Sequence, residues 1–167
     1  MKTTSLLRQY SLFFSMFIAL ALCACEPSAQ TQSNKESKAM NSQNAKSVTM
    51  GVSLLSYLDG VIFDVYLNGV DIGVANGQPH RSGASGVMSG VKVSLGPQVV
   101  TWRDGETGKT TKASNQPVFT DPGRDYSYLG VHIYPDNTVE LVPAKFWPDS
   151  TEKGLEINRQ WELKHGQ

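Results

Sequence analysis

Apolar positions are distributed along the chain in three regimes. Leu12 to Leu22 is almost wholly apolar, residues 26 to 46 are polar with few apolar side chains and no aromatic one, and from Ser47 the pattern changes to β. In Val61 to Leu67, Phe63, Val65 and Leu67 fall on one face, the period-2 signature of a half-buried strand. Asn68-Gly69 follows, a strong hairpin signal because both residues tolerate positive φ. Val91 to Leu95 alternates, Val99 to Arg103 makes a strand after Gly96-Pro97, Asp104-Gly105 opens a turn, and Lys109 to Ala113 is a polar return strand. Tyr126 to Tyr134 puts Leu129, Val131 and Ile133 on one face, with Tyr128, His132 and Tyr134 on the outward one. After the turn at Pro135-Asp136-Asn137, Thr138 to Val142 pairs back.

Leu155, Ile157, Trp161 and Leu163 share odd positions, which favours a strand or extended packing segment near the C-terminus. The 157/161 spacing with Ser150 or Thr151 as a cap is the helical alternative. Short strands about ten residues apart, with Gly/Pro/Asn turns and no βαβ alternation, predict an all-β fold: an antiparallel β-sandwich, Ig-like or a partly open barrel.

The remaining regimes set the domain plan. Lys2 and Arg8 precede an apolar run too short to cross a bilayer core, which reads as a secretory signal peptide over residues 1–24. Leu22-Cys23-Ala24-Cys25 resembles the lipobox of bacterial lipoproteins. That resemblance implies cleavage before Cys25, lipidation of its thiol, and membrane attachment through the lipid. Cys23 would place Leu22 at −1, which the motif does not allow. Position +2 is Glu26 rather than Asp, and the resemblance to sorted lipoproteins implies the periplasmic face of the outer membrane rather than retention in the inner one. Residues 26–46, following the lipidated Cys25, cannot bury enough surface to offset ordering and read as a flexible tether. As a coil it spans about 25 Å, and stretched about 70 Å. Residues 47–167 form the single β domain.

Composition narrows function by exclusion. The 167 residues carry 15 basic and 15 acidic side chains, and removing the signal leaves 13 against 15. That balance provides no basic stripe for nucleic acid. Gly105 to Thr110 resembles a phosphate loop, but position 103 is Arg where that motif needs Gly, so it reads as a hairpin tip. Gly83 to Val87 misses the nucleophile-elbow spacing, and the tract from Ser82 to Gly90 reads as a long loop. His80, His132 and His165 are isolated, so no metal site or cofactor is expected, and His132 reads as solvated or stacked near Tyr128 and Tyr134. The carboxylates are scattered and single out no hydrolytic pair. Trp102 and Trp161 read as core anchors, whereas Trp147, between Phe146 and Pro148, suits an interface equally well.

Several runs together carry a further resemblance: Tyr66 to Gly69, the glycine-rich loop, Leu95-Gly96-Pro97 leading into Val100 to Arg103, Val131 to Asp136, Val139 to Pro143, and Gly154 to Ile157. Across most of 47–163 they are similar to a family of small Gram-negative lipoproteins, some of them immunity proteins to type VI secretion lipase or toxin effectors. Many members have adjacent cysteines after the glycine-rich loop, where this chain has Val91-Lys92-Val93. The resemblance implies a non-enzymatic lipoprotein that occludes a secreted toxin, probing it with surface loops. Loop length and polarity nominate His80, Arg81, Arg103, Asp104 and Glu106 as the contact set, and Trp147 joins them as an aromatic residue in a loop. A structural or ligand-binding envelope lipoprotein and an envelope hydrolase are the competing readings.

Overall fold

Asn68 and Gly69 take φ of 50° and 81°, the two left-handed residues of a tight hairpin turn. This turn joins β2 to β3 in a chain whose elements, in order, are β1 (Ser47–Ser56), β2 (Val61–Leu67), β3 (Val70–Asn76), β4 (Val87–Ser94), β5 (Gly96–Pro97), β6 (Val100–Asp104), β7 (Thr110–Lys112), β8 (Val118–Phe119), β9 (Tyr128–Ile133), β10 (Val139–Ala144) and α1 (Glu152–His165). The structure is a computed structural model and describes residues 46–79 and 86–166. The signal peptide 1–24, Cys25 and the tether up to residue 45 lie outside the described residues.

Two four-stranded sheets, ordered β10-β9-β1-β4 and β3-β2-β6-β7, face each other, with β5-β8 as a small pair beside them. The expected β-sandwich is what forms, and it does not close into a barrel. It is not purely antiparallel: β1 and β9 run parallel, Val52 against Leu129 and Leu54 against Val131. A parallel pair joins strands distant in sequence, so hairpin signals do not reveal it.

The core is built from alternate positions of both sheets. Met50, Val52, Leu54, Leu129, Val131 and Ile133 meet Ile62, Val65, Leu67, Val100 and Trp102 in one apolar cluster. Trp102 is the core anchor the sequence suggested, 2% exposed. Phe63 departs from expectation. Asp64 adopts φ of 49°, the register of β2 shifts there, and Ile62 rather than Phe63 shares the core face with Val65 and Leu67. A bulge adds a residue and turns over the alternation on one side of it. The glycine-rich tract is also shorter as a loop than expected, because Val87 to Gly90 is already β4.

The C-terminal segment is a helix, not a strand. Thr151 Oγ1 accepts the Gly154 amide at 3.1 Å, Glu152 lies in the first turn, and Gly166 closes the last turn at φ 69°. The odd positions mislead because Leu155 and Leu163 face solvent, 57% and 70% exposed. Gly154, Ile157 and Trp161 follow the helical spacing, with Gly154 buried and the other two half-buried. Thr151→Ala is expected to lower unfolding free energy by about 1 kcal/mol, read as a shift in urea midpoint at unchanged slope.

Candidate functional site

The outer face of the β10-β9-β1-β4 sheet carries Tyr57, His132 and Tyr134, and α1 lies across them. Of the two expectations for His132, solvated or stacked near Tyr128 and Tyr134, the first is overturned and the second holds for Tyr134: the side chain is fully buried, stacked with Tyr57 and Tyr134 at ring separations of 6.1 and 6.5 Å. Outward from the sandwich core is not outward to water here, because the helix covers this side of the sheet. Tyr57, Tyr134 and Leu55 form a second small core with Ile157. Tyr57 Oη and His132 Nδ1 share a hydrogen bond of 3.2 Å. His132 Nε2 and Ser53 Oγ are buried without a hydrogen-bond partner among the described residues. Burial holds the His132 imidazole down at about 4 although the Glu140 carboxylate pulls the other way. Burial also pushes the Tyr134 phenol up.

A relay of hydroxyls ties helix to sheet. The Gly154 amide donates to Thr151 Oγ1, and Tyr134 Oη donates to Glu140 at 2.7 Å. The remaining 2.7 Å contact is therefore Thr151 donating to Tyr134 Oη. Lys153 lies 4.0 Å over the Tyr134 ring and pairs with Asp136 at 2.9 Å. The Thr138 hydroxyl and Lys153 bring the Asp136 carboxyl down to about 2.

The far half of α1 reaches the turn after β1. Trp161 Nε1 donates to Asp59 at 3.1 Å, Gln78 Nε2 bonds Asn158, and the backbone amide of Gln78 donates to Leu58. Trp161 is thus a half-buried clamp rather than a core anchor. Asp59 also lines a recess of about 270 Å³ with Asp104, Gly105 and Glu106. That recess lies at the nominated hairpin tip. Asp104 accepts from both the Thr107 amide and hydroxyl at 2.6 Å, which fixes the tip and depresses its own carboxyl pKa. Arg103 is held by Asp64 at 2.6 Å and lies 5.3 Å over Phe63, so it does not neutralise the recess.

The structure therefore brings Arg103, Asp104 and Glu106 together at one end of the sandwich and adds Asp59, which sequence reasoning did not single out. No local signal could have found Asp59, since its neighbours are Asp104 at the end of β6, Gly105 and Glu106 in the turn after it, Gln78, and Trp161 of α1. Trp147 belongs elsewhere, on the strap that crosses the outer sheet face before α1. His80 and Arg81 lie outside the described residues. Among the described residues, no group of three or more His, Cys, Asp or Glu converges to hold a metal ion. None of their helices is long and apolar enough to cross a membrane. Comparison with family models, curated proteins and solved structures found no match.

Proposed function

We propose that the protein is a lipid-anchored, periplasm-facing immunity lipoprotein that binds a secreted toxin, of the lipase-effector kind, and occludes it. The observation that carries this reading is the acidic recess between the 58–60 turn and the 104–108 hairpin tip. Its carboxylates are Asp59, Asp104 and Glu106, while the nearby Arg103 is already engaged by Asp64. At about 270 Å³ it falls below the usual range of small-molecule sites and suits one inserted side chain, a lysine or arginine of a partner.

Preorganisation supports the same reading. Asp104 locks its own turn, Gly105 donates to Val61 at 2.9 Å, and Trp161 pins Asp59, so a partner would meet these groups already ordered. Anchoring at Cys25 would hold the domain on the membrane a toxin must reach, and the polar stretch 26–46 would give it reach. The lipid sorting and the toxin partner rest on the sequence resemblances described above.

The test is a binding assay between the chain and the product of the adjacent gene, with growth protection in parallel. Glu106→Lys reverses charge at the recess on an exposed side chain. It is expected to weaken binding by about tenfold or more and to abolish protection, with the circular dichroism spectrum unchanged. Binding and protection equal to wild type in both Glu106→Lys and Asp59→Lys would remove the recess from the interface.

A further inference from the structure

Phe146 and Trp147 are the two most exposed aromatic residues among those described, at 81% and 54%. They do not lie on a frayed end. Lys145 pairs with Asp125 at 3.5 Å, Ala144 accepts from the Ser127 amide at 3.2 Å, and Pro148 is buried over Gly130. The rings are held out in water by fixed backbone on both sides, an unfavourable exposure of apolar surface that a partner surface would relieve.

Their position in the fold indicates what that surface is. Lys145 lies 5.7 Å over the Tyr126 ring, and Tyr126 and Arg124 share a groove of about 720 Å³ with Lys46. Lys46 is the residue at which the N-terminal segment joins the sandwich, and the 20 residues 26–45 lead back from it to Cys25 and the apolar run 12–22. The exposed rings therefore lie toward the end from which the chain leads back to its membrane-directed sequence. The acidic recess lies beyond the other end of β1: Ala144 and Tyr128 are level with Gly51, five residues or about 17 Å along the strand from Ser56, after which the turn to Asp59 begins.

We propose that the end carrying Phe146, Trp147, Tyr126, Lys145, Arg124 and Lys46 docks on a phospholipid bilayer, with Phe146 and Trp147 entering the boundary between headgroups and acyl chains. Aromatic rings beside long basic side chains are the composition that settles at this depth. Asp121 and Asp125 each hold a lysine of this end, at 3.1 and 3.5 Å, so the rings rather than net charge drive the contact. Docking here points the recess away from the membrane toward an arriving toxin. The inference rests on the membrane-anchored part of the proposed function and not on the toxin.

The experiment reconstitutes the full chain, as bacteria process it, into vesicles of phosphatidylethanolamine and phosphatidylglycerol with or without brominated acyl chains. Vesicle flotation and tryptophan emission are recorded for wild type and Trp147→Phe. The expected result is flotation of both proteins, quenching of wild-type emission by brominated lipid, and loss of that quenching in Trp147→Phe. Trp102, 2% exposed, and Trp161, at the recess end, remain as internal controls. Flotation with no quenching that depends on Trp147 overturns the docking and leaves the anchor intact. Burial of Trp147 only when the toxin is added assigns these rings to a protein interface and also overturns it. Absence of flotation overturns the anchor and the docking together.

Discussion

Replacing Gly154 with alanine is expected to destabilise the domain by about 3 kcal/mol, although alanine is the better helix former. Intrinsic propensity alone would stabilise the helix by about 1 kcal/mol, so the sign of the effect discriminates between the two. The reason is contact with the stack beneath. A Cβ on Gly154 would stand 2.1 Å from Tyr57 Cζ and 2.2 Å from its hydroxyl oxygen. The tyrosine cannot swing clear, because its ring lies 5.2 Å from that of Tyr134 and its hydroxyl is bonded to His132. The helix must lift instead, loosening the Ile157 contact, the Thr151–Tyr134 bond and the Trp161–Asp59 bond together. Urea unfolding of Gly154→Ala checks this. A midpoint at or above wild type would mean that α1 does not bear on Tyr57. If the proposed function holds, the same variant should also weaken partner binding at the recess, since Asp59 takes its position in part from Trp161.

That coupling is of a kind the sequence does not display. Strand positions were legible wherever one face is buried and the other wet: Val91 and Val93 in β4, Leu129, Val131 and Ile133 in β9, and the Asn68-Gly69 turn all follow from alternation and local turn chemistry. The pattern failed where a third layer intervenes. His132 on β9 and Tyr134 just after it look like the wet face of a two-layer sandwich, but Pro148 of the strap and the helix lie on this side, and Tyr134 joins Leu55, Tyr57 and Ile157 in a second core. The helix was hard to recognise because its buried stripe is thin. Gly154 contributes no side chain, Ile157 and Trp161 are half-buried, and two of its leucines face water. On β2, one left-handed residue, Asp64, was enough to exchange Phe63 for Ile62 at the core.

The candidate site was legible in part for a related reason. The hairpin tip from Arg103 to Lys109 is a local feature, and Asp104-Gly105 marks it in any sequence window. Asp59 and Trp161 join it through contacts between residues 102 positions apart, which carry no periodic signal. Trp147 does not lie near the tip. The backbone instead sends it along the strap that runs from Ala144, paired with Tyr128, to Pro148 over Gly130.

Acidification from pH 7 to 4 is expected to cost the fold about 3 kcal/mol through His132 alone. In the folded state its pKa is lowered to about 4, against an ordinary value of 6.5 in the unfolded chain. Between those values the unfolded state binds the proton and the folded state does not, so each step down in pH favours unfolding. The stabilising contribution is complete above pH 6.5, declines through the window, and is spent below about 4. The physical cause is burial of the neutral ring, with Nδ1 used by Tyr57 and Nε2 without a partner among the described residues. A proton added there would leave a buried cation whose nearby charges are Glu140 on β10 and, over the adjoining Tyr134 ring, Lys153 on α1. The Asp136 carboxyl, held down to about 2 by Thr138 and Lys153, protonates below this window and does not confound it. Urea unfolding at a series of pH values should show wild-type stability falling steeply between pH 6.5 and 4, and His132→Phe, which keeps a ring in the stack but cannot titrate, falling much less. Parallel curves for the two proteins would show that His132 is not held neutral in the folded state.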